Sequence, residues 1–178
     1  MARIKGAASV LLVAAGFLTG CGHYVLGTGT TTAFRRIYIE PITNQSNLPQ
    51  SVAAISTELR DAFIRDGRLT VVNSPEDAEV VLSMALGTYG REVATVLPND
   101  TGLARKFNLS LSASITLSTP NSDKVYFKDR PLRAIKQVFT DNPQTGSFDN
   151  QLRAEYQSVP LLAQSLSSAA VSAVLDVW

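Results

Sequence analysis

Residues 106–118 alternate so strictly that they leave one local structure open. Phe107, Leu109, Leu111, Ala113, Ile115 and Leu117 share one parity; Asn108, Ser110, Ser112, Ser114, Thr116 and Ser118 share the other. Successive side chains of a strand point to opposite faces, so this is a β-strand with one buried and one polar side. Its apolar row demands a cover, since burying a side chain of that size is worth about 1.5–3 kcal/mol. The polar row carries small hydroxyls and an amide in place of Lys and Glu. Two readings stand side by side: a solvated Ser/Thr face, or a face packed inside a polar cavity of another protein, where bulk and charge are costly.

The neighbouring segments supply the cover. Residues 49–66 repeat Val52, Ile55, Leu59, Ala62 and Phe63 at helical spacing, with Pro49 placed for the first turn and Gly67 for a left-handed cap. A second helix is predicted from about Gly146 to the end, with the stripe Leu152, Tyr156, Val159, Ala163, Leu166, Ala170 and Ala173; Pro160 should kink or split it near Ser158. Strands are predicted at 34–42, where Pro41 marks the end, at 69–72, at 78–91 with Val80, Leu82, Met84 and Leu86 on one face, and at 124–139 with an interruption at Pro131. Residues 43–47 read as a turn cluster, Ser74-Pro75-Glu76-Asp77 as a single helical turn, and Pro120-Asn121-Ser122-Asp123 as a hairpin turn. The order β-α-β-β-β-β-α predicts an α+β fold: a single mixed sheet of about four to five strands with two amphipathic helices on one face.

The start of the chain has a different character. Arg3 and Lys5 precede an apolar stretch from Ala7 to Leu18, and Leu18-Thr19-Gly20-Cys21 closes it with small residues before the chain's one cysteine. That is the layout of a secretory signal ending in a bacterial lipid-attachment box. The reading is a cleaved signal at 1–20, a Gly/Thr-rich lipidated tether at 21–33, and a domain at 34–178, with Cys21 as the lipidation site. The apolar stretch is too short and Gly-interrupted to span a bilayer, and no later segment is expected to span one. Gly22 is not the Asp that retains many lipoproteins at the inner membrane, so the outer membrane is the expected location.

Charge and residue counts exclude several functions. Removing Arg3 and Lys5 from the 16 Lys and Arg leaves 14 against 15 Asp and Glu, a mature chain without the basic surplus that nucleic acid selects. The single histidine, His23, lies in the tether, so neither a zinc site nor a serine–histidine pair can be assembled, and no Gly-rich phosphate loop follows a strand. Neither a metal nor a cofactor is expected, and the chain reads as a non-enzyme.

With these residues in place, the chain resembles the lipopolysaccharide-assembly lipoprotein family, LptE. The resemblance is carried by Cys21-Gly22-His23-Tyr24-Val25-Leu26, by Ile37-Tyr38-Ile39-Glu40-Pro41-Ile42-Thr43-Asn44, by Arg65-Asp66-Gly67-Arg68-Leu69 and Ser74-Pro75-Glu76-Asp77-Ala78, and by Val138-Phe139-Thr140-Asp141-Asn142-Pro143-Gln144. It implies a helix-covered sheet that plugs the lumen of the LptD β-barrel, helps assemble it, and with it inserts lipopolysaccharide into the outer leaflet of the outer membrane. It also implies basic contacts to lipopolysaccharide. The loops 98–102 and 141–150 hold no Lys or Arg, so the candidates are Arg91, Arg105, Lys106, Lys124, Lys128 and Arg130, taken either as phosphate ligands or as solvated strand-end charges. The polar row Asn108, Ser110, Ser112, Ser114 and Thr116 becomes the candidate barrel-facing surface, suited to a polar lumen. The alternative is a free-standing periplasmic lipid-binding or envelope-assembly lipoprotein without a barrel partner.

Overall fold

The computed structural model describes residues 33–97, 100–139 and 148–177. The predicted signal, Cys21 and most of the predicted tether lie outside them, as do residues 98–99 and 140–147. Within the described residues the order is β1 (Arg36–Ile39), β2 (Thr43–Asn44), α1 (Ser51–Asp66), β3 (Thr70–Val72), β4 (Val80–Leu97), β5 (Asp100–Ser118), β6 (Val125–Phe139) and α2 (Phe148–Leu175). The strands form one mixed sheet in the order β3-β1-β4-β5-β6, with the two-residue β2 pairing beside β4. Strands β1, β2 and β3 run parallel to their neighbours, and β4-β5-β6 form an antiparallel meander. The expected α+β fold is therefore the observed one, with β2 as the extra strand.

Pro41 divides the first predicted strand. Its ring ends β1, and the chain resumes pairing two residues later, where Thr43 and Asn44 oppose Ala85 and Leu86. The predicted turn cluster thus begins inside the sheet. Asn44 Oδ1 then accepts from the Ser46 amide and hydroxyl at 2.9 and 2.7 Å, a local loop that ends at the buried Leu48.

Helix α1 buries Ile55, Leu59, Ala62 and Phe63 as the spacing predicts. Pro49 falls just before it: Ser51 opens the helix, and its hydroxyl donates back to the Leu48 carbonyl at 2.6 Å. Gly67 closes it at φ 74, its N–H donating to the Phe63 carbonyl at 3.1 Å, a conformation that costs a residue with a Cβ far more. The single turn expected at 74–77 is present, closed by the Ala78 amide on the Pro75 carbonyl, while the Ser74 hydroxyl donates to the Asp77 carboxylate in place of capping it.

Helix α2 runs unbroken through Pro160, against the expected split. Packing against α1 and the sheet holds it: Val159, Leu162, Ala163, Leu166, Ala170, Ala173 and Val174 are all buried. The Ser158 hydroxyl donates to the Glu155 carbonyl at 2.6 Å within the turn ahead of the proline. Tyr156, expected in the buried stripe, is 66% exposed. The stretch Arg153–Leu175 is long and apolar enough to cross a membrane, contrary to the sequence expectation, yet 56% of its window is buried. It is the helix that covers the sheet.

One core unites the layers. Ile37 and Ile39 of β1, Val80, Leu82, Met84 and Leu86 of β4, and the whole apolar row of β5 meet both helices in a single cluster. Pro131 does not interrupt β6, because that strand is the sheet's edge and a missing amide donor there costs no ladder bond when it faces outward.

Candidate functional site: the open sheet face and its two bulges

Because both helices cover one face, the other is left open among the described residues. The polar row of β5 lies on it, all five candidate residues Asn108, Ser110, Ser112, Ser114 and Thr116 being partly exposed. Register places Ser83 and Ala85 of β4 opposite Thr116 and Ser114. On the other side, Pro131, Arg133, Ile135 and Gln137 of β6 oppose Ser114, Ser112, Ser110 and Asn108. The centre of this face is small and uncharged.

Three of those five side chains hold the sheet's own shape. Gly87 and Thr88 together oppose Ser112, since Leu86 pairs with Ala113 and Tyr89 with Leu111; this is a β-bulge. The Ser112 hydroxyl accepts from the Thr88 amide at 2.8 Å and donates to its carbonyl at 3.2 Å. It occupies the space a Cβ on Gly87 would need, at 2.8 Å from that position. A second bulge lies in β6, where Ile115 pairs with Arg130 but Leu117 with Phe127. There Asp129 takes φ 50 and its amide donates to Thr116 Oγ1 at 3.0 Å. Asn108 Oδ1 accepts from Gln137 Nε2 at 3.3 Å.

Each bulge inverts which side chains face the helices. Past Gly87–Thr88, the odd residues Tyr89 and Arg91 turn to the helix side, where they meet Glu155 of α2. Tyr89 donates its hydroxyl to Glu155 Oε2 at 3.3 Å, and Arg91 pairs with Oε1 at 2.7 Å. Burial, reinforced by the neighbouring Glu155 charge, pushes the Tyr89 hydroxyl up to about 12. Past Asp129, Arg130 turns to the helix side and donates to the Ala173 carbonyl at 3.1 Å. It satisfies one of α2's orphan C-terminal carbonyls, where a cation also meets the favourable end of the dipole. Neither Glu155 nor Asp129 stood out in the sequence; Gly87-Thr88, where the alternation of β4 fails, was the available signal.

The six candidate cations do not form one cluster. Arg91 opposes Leu109 and Arg130 opposes Ile115, which at about 3.3 Å per residue sets them roughly 20 Å apart along β5. Lys106 lies at the first end with its ammonium 4.9 Å from the Phe139 ring, and Arg105 precedes it in β5. Lys124 lies at the other end, 4.4 Å from the Tyr126 ring, and Lys128 is exposed in the second bulge. Arg91 and Arg130 are engaged by the fold itself. Among the described residues no group of His, Cys, Asp and Glu is assembled that could hold a metal ion.

The family model for LptE, described as lipopolysaccharide-assembly, matches residues 34–171. The chain belongs to the LptE family. Solved structures that share its fold include the following two. One is an uncharacterized lipoprotein B from Nitrosomonas europaea, at 16% identity and TM-score 0.52, covering 86% of this chain and 88% of that one. The other is a hypothetical protein from Chlamydia trachomatis, at 12% identity and TM-score 0.52, covering 82% and 98%. No curated protein matches the sequence.

The bulges make two predictions. Ser112→Ala removes the acceptor of the Thr88 amide and should cost about 1 kcal/mol in denaturant melts, and Gly87→Ala about 1–3 kcal/mol by overpacking. Because Ser112 Cβ is already 3.9 Å from the new methyl position, the double variant should cost no more than the sum's larger part. Full additivity would show that the hydroxyl and the glycine do not share the space. For Tyr89, absorbance titration of the five tyrosines should show one phenol ionising near pH 12, lost in Tyr89→Phe. A group whose pKa is raised on folding contributes stability fully below its ordinary value of 10, and that contribution disappears as pH rises from 10 towards 12.

Proposed function

We propose that this LptE-family protein is a non-enzymatic outer-membrane lipoprotein, anchored on the periplasmic side by acyl chains on Cys21, that plugs and helps assemble the LptD β-barrel for lipopolysaccharide insertion. The match to the lipopolysaccharide-assembly family over residues 34–171 carries the reading. The open sheet face supports it. Its central rows, Ser83 and Ala85 beside Ser110, Ser112 and Ser114, are small and uncharged, and so meet a polar lumen without burying charge or bulk. The lysines 106, 124 and 128, free of ion pairs among the described residues, are better placed to meet lipopolysaccharide phosphates than Arg91 and Arg130, which the fold already engages.

The test is an affinity pull-down of the tagged, lipidated protein from detergent-solubilised membranes. The expected companion is a large β-barrel at one-to-one stoichiometry, weakened by Ser114→Arg on the open face. Elution alone, carrying lipid, would favour a free-standing lipid-binding lipoprotein instead.

A further inference from the structure

The two edges of the sheet are guarded very differently. Strand β3, at one edge, is only three residues long. Strand β6, at the other, has 15 residues and no strand beside its outer edge among the described residues. Two features that blunt an edge, the bulge at Lys128–Asp129 and Pro131, both sit in its first half. From Pro131, opposite Ser114, to Phe139, opposite Lys106, the register is unbroken. Residues 132–139 are thus a regular edge whose outward amides and carbonyls have no partner strand among the described residues.

The side chains along it say what would pair. Ile135 and Phe139 are 55% and 56% exposed, two of the few large apolar side chains left open to solvent. Strand β6 carries Lys128, Arg130, Arg133 and Lys136 against the single carboxylate Asp129. The four ion pairs of the described residues engage Arg36, Arg65, Arg68 and Arg91, and none engages β6. A second copy of this chain pairing β6 on β6 would set these cations against one another, and like charges across a ladder are unfavourable.

We propose that residues 132–139 of β6 are a docking edge for an extended acidic segment of a partner protein, added as a further strand with carboxylates opposite Arg133 and Lys136 and an apolar residue opposite Ile135. Main-chain pairing supplies the affinity and the charges supply the selection. The inference rests on the barrel reading above only for the source of that strand.

The lipidated protein in detergent is titrated with a short valine-rich peptide whose glutamates are three residues apart, with its lysine counterpart, and with the glutamate peptide N-methylated at every second amide. Binding is read by anisotropy, and amide hydrogen exchange is followed across β6. The expected result is binding of the glutamate peptide alone, slowing exchange within 132–139. Arg133→Glu with Lys136→Glu should weaken it by roughly tenfold or more while leaving thermal melting unchanged. No binding, binding that survives N-methylation, or binding only to anionic phospholipid vesicles overturns the proposal. In a co-purified barrel complex the same amides should exchange more slowly than in the protein alone. A barrel that co-purifies while they exchange unchanged overturns this inference and leaves the plug reading standing; if no barrel co-purifies, the peptide titration decides.

Discussion

Leu166→Ala should lower the unfolding free energy by about 2–5 kcal/mol, enough to consume much of the stability of a domain this size. Leu166 is fully buried on α2, the helix that covers the sheet, and belongs to the cluster that joins α1, α2 and the apolar row of β5. Its loss combines the transfer term for the removed methine and methyl groups with a cavity that the close-packed cluster around it fills only in part. Denaturant melts should show a lower midpoint with an unchanged slope. A loss under about 1 kcal/mol would mean that α2 is not the principal cover of the sheet. The contrast is Leu161, half-exposed on the same helix, where alanine should cost only a few tenths of a kcal/mol.

Cys21→Ala should move the protein almost entirely from the membrane to the soluble fraction while leaving its melting midpoint unchanged. The residue lies ahead of the family-matched stretch, residues 34–171, in sequence. Two or more acyl chains hold a protein far more firmly than one, each buried methylene adding about 0.8 kcal/mol. Fractionation with the proposed barrel partner present and absent separates two contributions. A variant that stays with the membrane in both cases overturns the lipid anchor. One that stays only when the barrel is present shows that the partner alone retains it.

Some of this protein was readable in its residues. The alternation from Phe107 to Leu117 required a half-buried strand, and the spacing of Ile55, Leu59, Ala62 and Phe63 required a helix with one apolar stripe. Together they fixed an α+β sandwich of sheet and helix, because an apolar row and an apolar stripe can each be buried only against the other. Gly67 marked its helix end for the same local reason: a left-handed residue is needed there, and glycine adopts it without strain.

What the residues did not disclose depends on two strands at once. A bulge is a mismatch between partners, so the failed alternation at Gly87-Thr88 does not by itself say that the pair shares Ser112, or that Tyr89 and Arg91 therefore turn towards Glu155. The hydroxyl row was legible as polar, while its work as a clamp on two bulges became visible only with Thr88 and Asp129 beside it. Pro131 and Pro160 looked like interruptions because a proline's local cost is fixed, whereas its tolerance is decided by place: an outward edge for one, a packed helix for the other. Local patterning, which depends on one chain segment at a time, settled the elements and their buried faces; the pairing between segments, set by long-range packing, decided where the charges and hydroxyls ended up.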